Sequence, residues 1–214
     1  LMHIYLIEAG PRLLAGMSEE SSAHAEQFLR EMGVNILLNK RVVDYRDHKV
    51  VLEDGTEIAT RTFIWVSGVT GVTIGNLDAS LIGRGGRIKV DSFNRVEGMN
   101  NVFAIGDQCI QVADEDYPNG HPQLAQVAIQ QGELLAKNLV RMEKGREMKP
   151  FHYRNLGSMA TVGRNRAVAE FSKIKTQGWF AWVLWLVVHL RSILGVRNKV
   201  VVLLNWIWNY FTYD

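Results

Sequence analysis

The chain opens with an apolar run, a helical pattern and a second apolar run. Residues 4–7 are continuously apolar and end at Glu8, before a glycine-proline turn, which is typical of a buried strand. Ser18 has the side chain of a helix N-cap, and Gly33 lies where a C-capping glycine belongs. Because residues 34–38 are again apolar, the pattern predicts a β-α-β unit.

The next stretch predicts an antiparallel insertion followed by a return to a buried strand. Residues 50–58 alternate in polarity around Asp54-Gly55, a pair that suits the turn of a hairpin. Residues 63–66 form a short apolar run that is broken at Ser67-Gly68, and we expect them to be a buried strand.

The following segment predicts a strand that ends at a glycine and an acid, and then a long helix. Residues 102–105 are apolar and lead directly into Gly106-Asp107. Residues 123–140 carry small and apolar side chains at helical spacing, which permits close packing of one face. Residues 144–150 are charged and end at a proline, so we expect a domain boundary there.

The last part of the chain predicts a small β segment and two apolar helices. Residues 157–171 alternate in polarity, and residues 179–188 and 200–204 are apolar runs joined by a basic turn. The first run has ten residues, whereas a spanning helix needs about 20. The two helices are therefore expected either to lie at a membrane interface or to pack against each other or a second subunit.

Charge and composition narrow the possible partners. Lys and Arg total 24 against 22 Asp and Glu, so nothing indicates a nucleic-acid partner. From residue 171 onward the only acid is Asp214, and five of the six tryptophans lie in this cationic part, which suits an anionic membrane surface. A single cysteine, Cys109, excludes a disulfide within these residues, and the scattered histidines predict no metal site.

Two acids that end apolar runs are candidates for binding a nucleotide. Glu8 has the position of a carboxylate that accepts the hydroxyls of an adenosine ribose, although such a residue is more commonly a solvated loop glutamate. Asp107 has the position of a ligand to a polyol hydroxyl, with Gly106 allowing close approach; the alternative is an ordinary turn.

The start of the helix at residues 123–140 suggests how a flavin could be tuned. Its unpaired backbone N–H groups and the positive end of its dipole would favour negative charge on a reduced flavin ring. Gln126 and Gln130 lie one turn apart and could together bind a carbonyl substrate, or could form a polar face in water.

Four segments together resemble the type II NADH:quinone oxidoreductases in order and spacing. They are FIWVSGV at residues 63–69, NVFAIGD at 101–107, AQVAIQQG at 125–132 and RNKVVVLLNWIWNYFT at 197–212. The resemblance covers nearly the whole chain. It implies an α/β fold that is a partial double Rossmann-like, FAD- and NAD(P)-binding fold, with a C-terminal β plus amphipathic-helix membrane module. The implied parts are the distal NADH domain at 1–66, the distal FAD domain at 67–148 and the membrane and dimerisation module at 149–214.

The resemblance also implies roles for individual residues. The NADH side comprises Glu8 and the turn Ser67-Gly68-Val69. The FAD side comprises Gly106, Asp107 and the helix start Ala125-Gln126-Val127. Gln126 faces the quinone, and Gln130 is a second candidate for the same pocket. Electrons would pass from NADH through FAD to the quinone without proton pumping.

The implied setting is peripheral. The family resemblance places a homodimer on the cytoplasmic face of the bacterial inner membrane, with monotopic contact through residues 178–214. One alternative is another quinone-reducing flavoprotein of the same fold, such as a sulfide:quinone oxidoreductase, which would need reactive cysteines. The other is a non-catalytic membrane-binding or dimerisation fragment.

The sequence departs from the family in three respects. Both glycine fingerprints are absent, and the buried strand begins at the first residue, so we expect a truncated chain that cannot build either dinucleotide site alone. Ser67 replaces a residue that is often alanine. Leu124 replaces a threonine, which puts one flavin hydrogen bond in doubt.

Overall fold

The computed structural model describes residues 2–72, 74–172 and 174–212. Leu1, where the first strand was expected to begin, and Tyr213 and Asp214, at the end of the predicted membrane module, lie outside the described residues. The chain divides into two compact units, one comprising Leu1–Ile64 with Gly157–Asp214 and the other Trp65–Leu156. The functional division at residues 66 and 148 stays a prediction.

The first unit begins with the predicted β-α-β arrangement. Strand β1 (Ile4–Ile7) pairs in parallel with β2 (Val34–Leu37), with Ile4 opposite Val34 and Ile7 opposite Leu37. Helix α1 (Glu19–Glu31) connects them, and the Ser18 side chain accepts a hydrogen bond from Ser21 N at 3.4 Å. The cap and the β-α-β unit are confirmed.

An antiparallel meander follows, which contains the predicted hairpin and one strand that was not predicted, Val42–Arg46. It consists of β3 (Val42–Arg46), β4 (Lys49–Leu52) and β5 (Glu57–Ala59), in that order across the sheet. Gly55 in the β4–β5 turn has φ +83°, a value that favours glycine. The hairpin around Asp54-Gly55 is therefore confirmed.

The second unit has little regular sheet. Strands β6 (Ile88–Lys89) and β7 (Cys109–Ile110) form a short parallel pair, and α2 spans Ala125–Glu143. One apolar cluster contains Ile88, Val90, Val96, Ala104 and Cys109, and another joins Val127 of α2 to Phe151 and Tyr153. The predicted long helix is confirmed, with a start two residues later.

Two predicted strands are wrong. Residues 63–66 form no strand, and the side chains of Ile64, Trp65 and Val66 are 60–84% exposed. An apolar run is buried only where other parts of the protein pack over it. The sequence of the run itself does not show whether they do. Residues 102–105 make only an isolated antiparallel bridge, between Phe103 and Arg95, because this segment pairs with a tight local turn instead of a parallel neighbour.

The C-terminal part of the first unit combines a small sheet with two helices. Strands β8 (Ser158–Thr161), β9 (Ala167–Phe171) and β10 (Ile174–Gln177) are antiparallel, with β9 central. Helix α3 (Gly178–Ser192) packs on this sheet through Ala181, and α4 (Val196–Thr212) follows. Within the described residues, the helices are too short or too polar to cross a bilayer.

Candidate functional site

The loop that carries Gly106 and Asp107 lies on the first turns of α2. Gly106 has φ +65°, and a Cβ added there would lie 3.2 Å from Ala128 Cβ. Gly106 N donates to Gln131 Oε1 at 2.6 Å, and Gln123 Nε2 donates to the Asp107 carbonyl at 3.2 Å. The residues predicted to hold FAD on the strand end and on the helix start are thus neighbours.

Asp107 itself occupies an exposed one-turn 3₁₀ helix, Gly106–Gln108. Asp107 is exposed, and none of the residues that the structure describes donates a hydrogen bond to its carboxylate. A carboxylate held at the mouth of a glycine turn can accept hydrogen bonds from a polyol. This residue therefore fits the role of a ligand to the sugar-alcohol chain of a flavin.

The start of α2 also fits a flavin. Leu124 is the N-cap and provides no side-chain cap to the first turn, while Val127 is only 2% exposed and anchors the turn in the core. Ala125, by contrast, is exposed. Since helix starts attract negative charge, this turn can stabilise electron density on a ring placed against it.

The segment that follows the predicted nicotinamide turn is hydrogen-bonded to Gln108, a residue that the sequence analysis did not name as a candidate. Gln108 Oε1 accepts from Val72 N at 2.9 Å, and Gln108 Nε2 donates to Val72 O at 2.6 Å. Val72 follows the exposed turn Ser67-Gly68-Val69 by three residues. Gln108 is adjacent to Asp107, so the structure holds Val72, three residues after this turn, beside the FAD candidates.

Gln126 and Gln130 are half-buried, and each is bonded to the backbone of another segment. Gln126 Oε1 accepts from Leu156 N at 3.1 Å. Gln130 Oε1 accepts from Arg154 N at 3.0 Å, and Gln130 Nε2 donates to Arg154 O at 2.9 Å. Both glutamines therefore bind the backbone of the extended segment at residues 154–156, which periodicity alone could not reveal.

Glu8 belongs to the first unit and is considered by itself. It directly follows β1, and its Oε1 accepts from Gly10 N at 2.7 Å. Its own N–H donates to Leu37 O at 2.9 Å, which continues the parallel ladder past the strand. The half-buried carboxylate is therefore held at the carboxyl end of a parallel strand, where α/β sheets bind ligands.

A buried polar pair lies in the loop before α2. His121 Nε2 is 3.0 Å from Asp114 Oδ2, and the two side chains are 1% and 6% exposed. Burial alone would raise the pKa of Asp114, but hydrogen bonds from His121 and from the N–H groups of Tyr153 and Asp116 lower it overall. The only sequence signal for this pair was an acid and a histidine in the same loop.

Cys109 is the single cysteine and is structural. It is 1% exposed and lies within hydrogen-bonding distance of Gln131, Asn94 and the Gly106 carbonyl. Burial raises the pKa of its thiol, which disfavours the reactive thiolate.

The C-terminal helices leave a large apolar surface. Trp182 of α3 lies 5.8 Å from Tyr210 of α4, and Trp185 lies 6.0 Å from Trp206, as ring centroids. An open apolar cleft of about 570 Å³ lies between these helices. Several large side chains on them are exposed by 50% or more: Trp179, Phe180, Val187, Trp208 and Phe211.

Comparison with known proteins identifies the family of this chain. The family model of pyridine nucleotide-disulphide oxidoreductases matches residues 2–132, and that of the NDH2 C-terminal domain matches residues 155–212. A type II NADH:quinone oxidoreductase, NdhA of Mycobacterium tuberculosis, is 35% identical over 95% of this chain and 44% of its own length. The mitochondrial internal alternative NAD(P)H-ubiquinone oxidoreductase A1 of Arabidopsis thaliana is 31% identical over 98% of this chain and 44% of its own length.

Solved structures share the fold. NDH2 from Plasmodium falciparum, solved in complex with NADH, superposes with a TM-score of 0.87 at 18% identity, covering 99% of this chain and 58% of that one. The sulfide:quinone oxidoreductase of Aquifex aeolicus gives a TM-score of 0.69 at 16% identity, covering 92% and 50%. The predicted mixed α/β, FAD/NAD-binding fold class is confirmed.

The chain spans less than half the length of the curated relatives that it matches. Its match to the NDH2 C-terminal domain lies at its own end, which confirms the resemblance drawn from the four sequence segments. The chain belongs to the pyridine nucleotide-disulphide oxidoreductase family, and along nearly its whole length it is similar to the C-terminal part of the type II NADH:quinone oxidoreductases.

Proposed function

We propose that the chain is the C-terminal part of an enzyme that transfers electrons from NADH through FAD to a membrane quinone. The observation that carries the proposal is the exposed Asp107 carboxylate beside the uncapped start of α2. A polyol ligand and a positive helix end are two features by which a protein can hold and tune a flavin. The similarity to type II NADH:quinone oxidoreductases supports NADH as the electron donor and a quinone as the electron acceptor.

FAD, when bound, supplies the redox chemistry, because it accepts a hydride and gives up electrons. Asp107 would accept hydrogen bonds from the flavin's sugar-alcohol chain, and Gly106 would allow that chain close to the backbone. Ala125, Gln126 and Val127 would form the helix start against the ring.

NADH would be held by Glu8 through the hydroxyls of a ribose. Its Oε1 already accepts from Gly10 N, so Oε2 is the oxygen better placed to accept from a ligand. The turn Ser67-Gly68-Val69 would lie near the nicotinamide and the flavin. These assignments follow the family resemblance.

The quinone would meet Gln126, with Gln130 as the second candidate. A side-chain amide can donate to a quinone carbonyl and orient it, without itself exchanging electrons. Proton pumping requires a membrane-spanning path. The electron transfer proposed here includes no proton pumping.

The C-terminal module would attach the enzyme to the cytoplasmic face of the bacterial inner membrane. The exposed aromatic side chains of α3 and α4 suit the interfacial layer, and the basic residues nearby suit anionic lipid. We also propose a homodimer, because apolar helix surfaces commonly serve as subunit contacts. In this scheme residues 1–66 serve NADH, 67–148 serve FAD and 149–214 serve the membrane.

The sulfide:quinone alternative is disfavoured by Cys109. That chemistry requires reactive thiols, whereas the single cysteine is buried and its pKa is raised.

The test is flavin retention. The flavin absorbance that survives desalting is measured for this chain with and without added FAD, and then in a full-length version of the enzyme for the natural sequence and for Asp107→Ala. The matched control is Glu115→Ala, which removes a nearby exposed acid. We expect Asp107→Ala alone to lose flavin. Equal flavin content in all three proteins would refute the Asp107 assignment, and colourless natural protein that binds liposomes would favour a non-catalytic membrane module.

A further inference from the structure

A buried carboxylate closes the loop that leads into α2. Asp114 Oδ2 is 3.0 Å from His121 Nε2 and accepts from Tyr153 N at 3.3 Å. Asp114 Oδ1 accepts from Asp116 N at 3.1 Å. Because an ionised carboxylate can only accept, His121 Nε2 carries the proton of the bond between the two side chains. Both ends of the loop at residues 114–121 are therefore held by one acceptor.

The rings that surround His121 also bury the first turn of α2. Three aromatic rings have centroids within 6.0 Å of the His121 ring: Tyr117, Phe151 and Tyr153. The same three rings pack in one apolar cluster with Val127, which lies in the first turn of α2. The direction of the His121 ring and the position of the helix start are thus fixed by shared contacts, because a packed cluster transmits a displacement.

The residues next to His121 connect it to both parts of the candidate flavin site. Gln123 Nε2 donates to Asp107 O at 3.2 Å, and Leu124 is the N-cap of α2. The His121 carbonyl accepts from Nη2 of the buried Arg87 at 3.1 Å, which holds the backbone at this point. A displacement of His121 would therefore move the helix start and the support of the Asp107 loop together.

Neither side chain of the pair is placed to touch a ligand. The Asp114 and His121 side chains are only 6% and 1% exposed. The second ring nitrogen of His121, Nδ1, is buried and has no hydrogen-bond partner among the residues that the structure describes. Within that part of the chain, the bond through Nε2 is therefore the one that orients the ring. The pair can act on the site only through the backbone that it holds.

We propose that Asp114 and His121 are a positioning pair that holds the start of α2 against the Asp107 loop and thereby raises the redox potential of the flavin. The inference rests on the proposed function and adds to it two residues that touch no ligand. A helix start that faces the reduced ring stabilises its negative charge, and this effect falls off within the first turn. A displaced helix start would therefore make the flavin harder to reduce.

The first measurement needs no flavin. In this chain, Val127 N and Ala128 N donate to Leu124 O at 2.9 and 3.2 Å, so their hydrogen–deuterium exchange reports how firmly the first turn is held. His121→Leu should raise exchange at these two amides by about tenfold, the effect of losing one ordinary hydrogen bond. His121→Gln should raise it less, because its amide can replace the lost donor. The matched control is His152→Leu, at an exposed histidine of the same unit, which should leave exchange unaltered.

The second measurement is the midpoint potential of the flavin in a full-length version of the enzyme. His121→Leu should make the equilibrium constant for flavin reduction about tenfold smaller, which is about 30 mV for a two-electron couple. His121→Gln should give a smaller shift, and His152→Leu should give none. Neither His121 variant removes a carboxylate, so a lost negative charge cannot account for the change.

A further variant separates positioning from loss of stability. Val96→Ala removes buried methyl groups from the other apolar cluster of the second unit. It should lower the urea concentration at the midpoint of unfolding, because it leaves a cavity, but it should not shift the flavin potential.

The outcomes are distinct. Unchanged exchange at Val127 and Ala128 in His121→Leu would show that the pair does not hold the helix start. An unchanged potential in His121→Leu, or an equal shift in Val96→Ala, would overturn the effect on the flavin. Loss of flavin in His121→Leu, with flavin retained in Val96→Ala and His152→Leu, would support the pair as a requirement of the site. A natural full-length protein without flavin would instead refute the proposed function, while the exchange data would still decide whether the pair holds α2.

Discussion

The Glu170 carboxylate on β9 accepts a hydrogen bond from Ser18 N, the N-cap of α1, at 3.0 Å, and a second from the Ser18 hydroxyl. Burial alone would raise the pKa of Glu170, but these bonds and one from Ser21 lower it below its ordinary value of 4.5. Two distant parts of the chain are thereby joined through one ionised group.

This bond predicts an acid-sensitive contact. A carboxylate with a lowered folded-state pKa adds stability above its unfolded pKa, and that stability is lost as pH falls through the folded value. We expect the natural protein to lose stability progressively below about pH 4.5. Glu170→Gln, which cannot ionise, should show a flatter profile in urea unfolding there. The same slope in both proteins would assign the acid sensitivity to other groups.

Gly106→Ala should destabilise the second unit for two reasons. An alanine at φ +65° costs about 1–2 kcal/mol, and its Cβ would also press on Ala128. The matched control is Gly145→Ala, since Gly145 has φ +64° but no neighbour within 4 Å. The difference in free energy of unfolding between the two variants measures the Ala128 contact; equal values would mean that no such contact constrains the loop.

Asp114→Ala should cost roughly 2–3 kcal/mol, because it leaves His121 and Tyr153 N without their buried acceptor. Asp114→Asn keeps an oxygen for Tyr153 N and should cost less. Asp116→Ala, at an exposed acid two residues away, serves as the control. If Asp114→Ala and Asp116→Ala unfold at the same denaturant concentration, the buried pair contributes nothing.

Ala181→Leu should weaken packing of α3 on its sheet. Ala181, Ala167 and Ala169 are all 0% exposed, so a larger side chain has no room and should cost about 1–3 kcal/mol. Ala23→Leu, at an exposed position of α1, controls for the added methylene groups. A thermal shift no larger than that of the control would indicate that the interface between α3 and the sheet can expand.

Local signals in the sequence were sufficient for the parts of the fold that depend on near neighbours. Ser18 caps α1, Gly55 makes the hairpin turn, and the small and apolar face defined α2, because each depends on residues within a few positions. Gly106 and Asp107 could be named as candidates for the same reason, since a glycine and an acid after an apolar run are adjacent in sequence, and their role stays a prediction.

The rest of the fold and of the candidate site depends on contacts between distant residues, which the spacing of residues along the sequence does not predict. The apolar run at residues 63–66 looks like a buried strand in sequence, but Ile64, Trp65 and Val66 are exposed in the structure. Gln130 bonds to Arg154, 24 positions away, and Gln126 bonds to Leu156, 30 positions away. Periodicity indicates only that the two glutamines share a face of the helix. Gln108 and Gln131 gave no signal beyond their residue type.

The bond between Ser18 and Glu170 also affects the order in which parts of the chain can fold during synthesis. Its partners are 152 residues apart, and the first compact unit draws on both ends of the described chain. During synthesis the continuous segment Trp65–Leu156 can fold as soon as it leaves the ribosome. The contacts between α1 and β9 can form only after β9 has been synthesised. Helix α1 and its local Ser18 cap can therefore form before β9 is made, whereas the bond from Ser18 to Glu170 can form only afterwards.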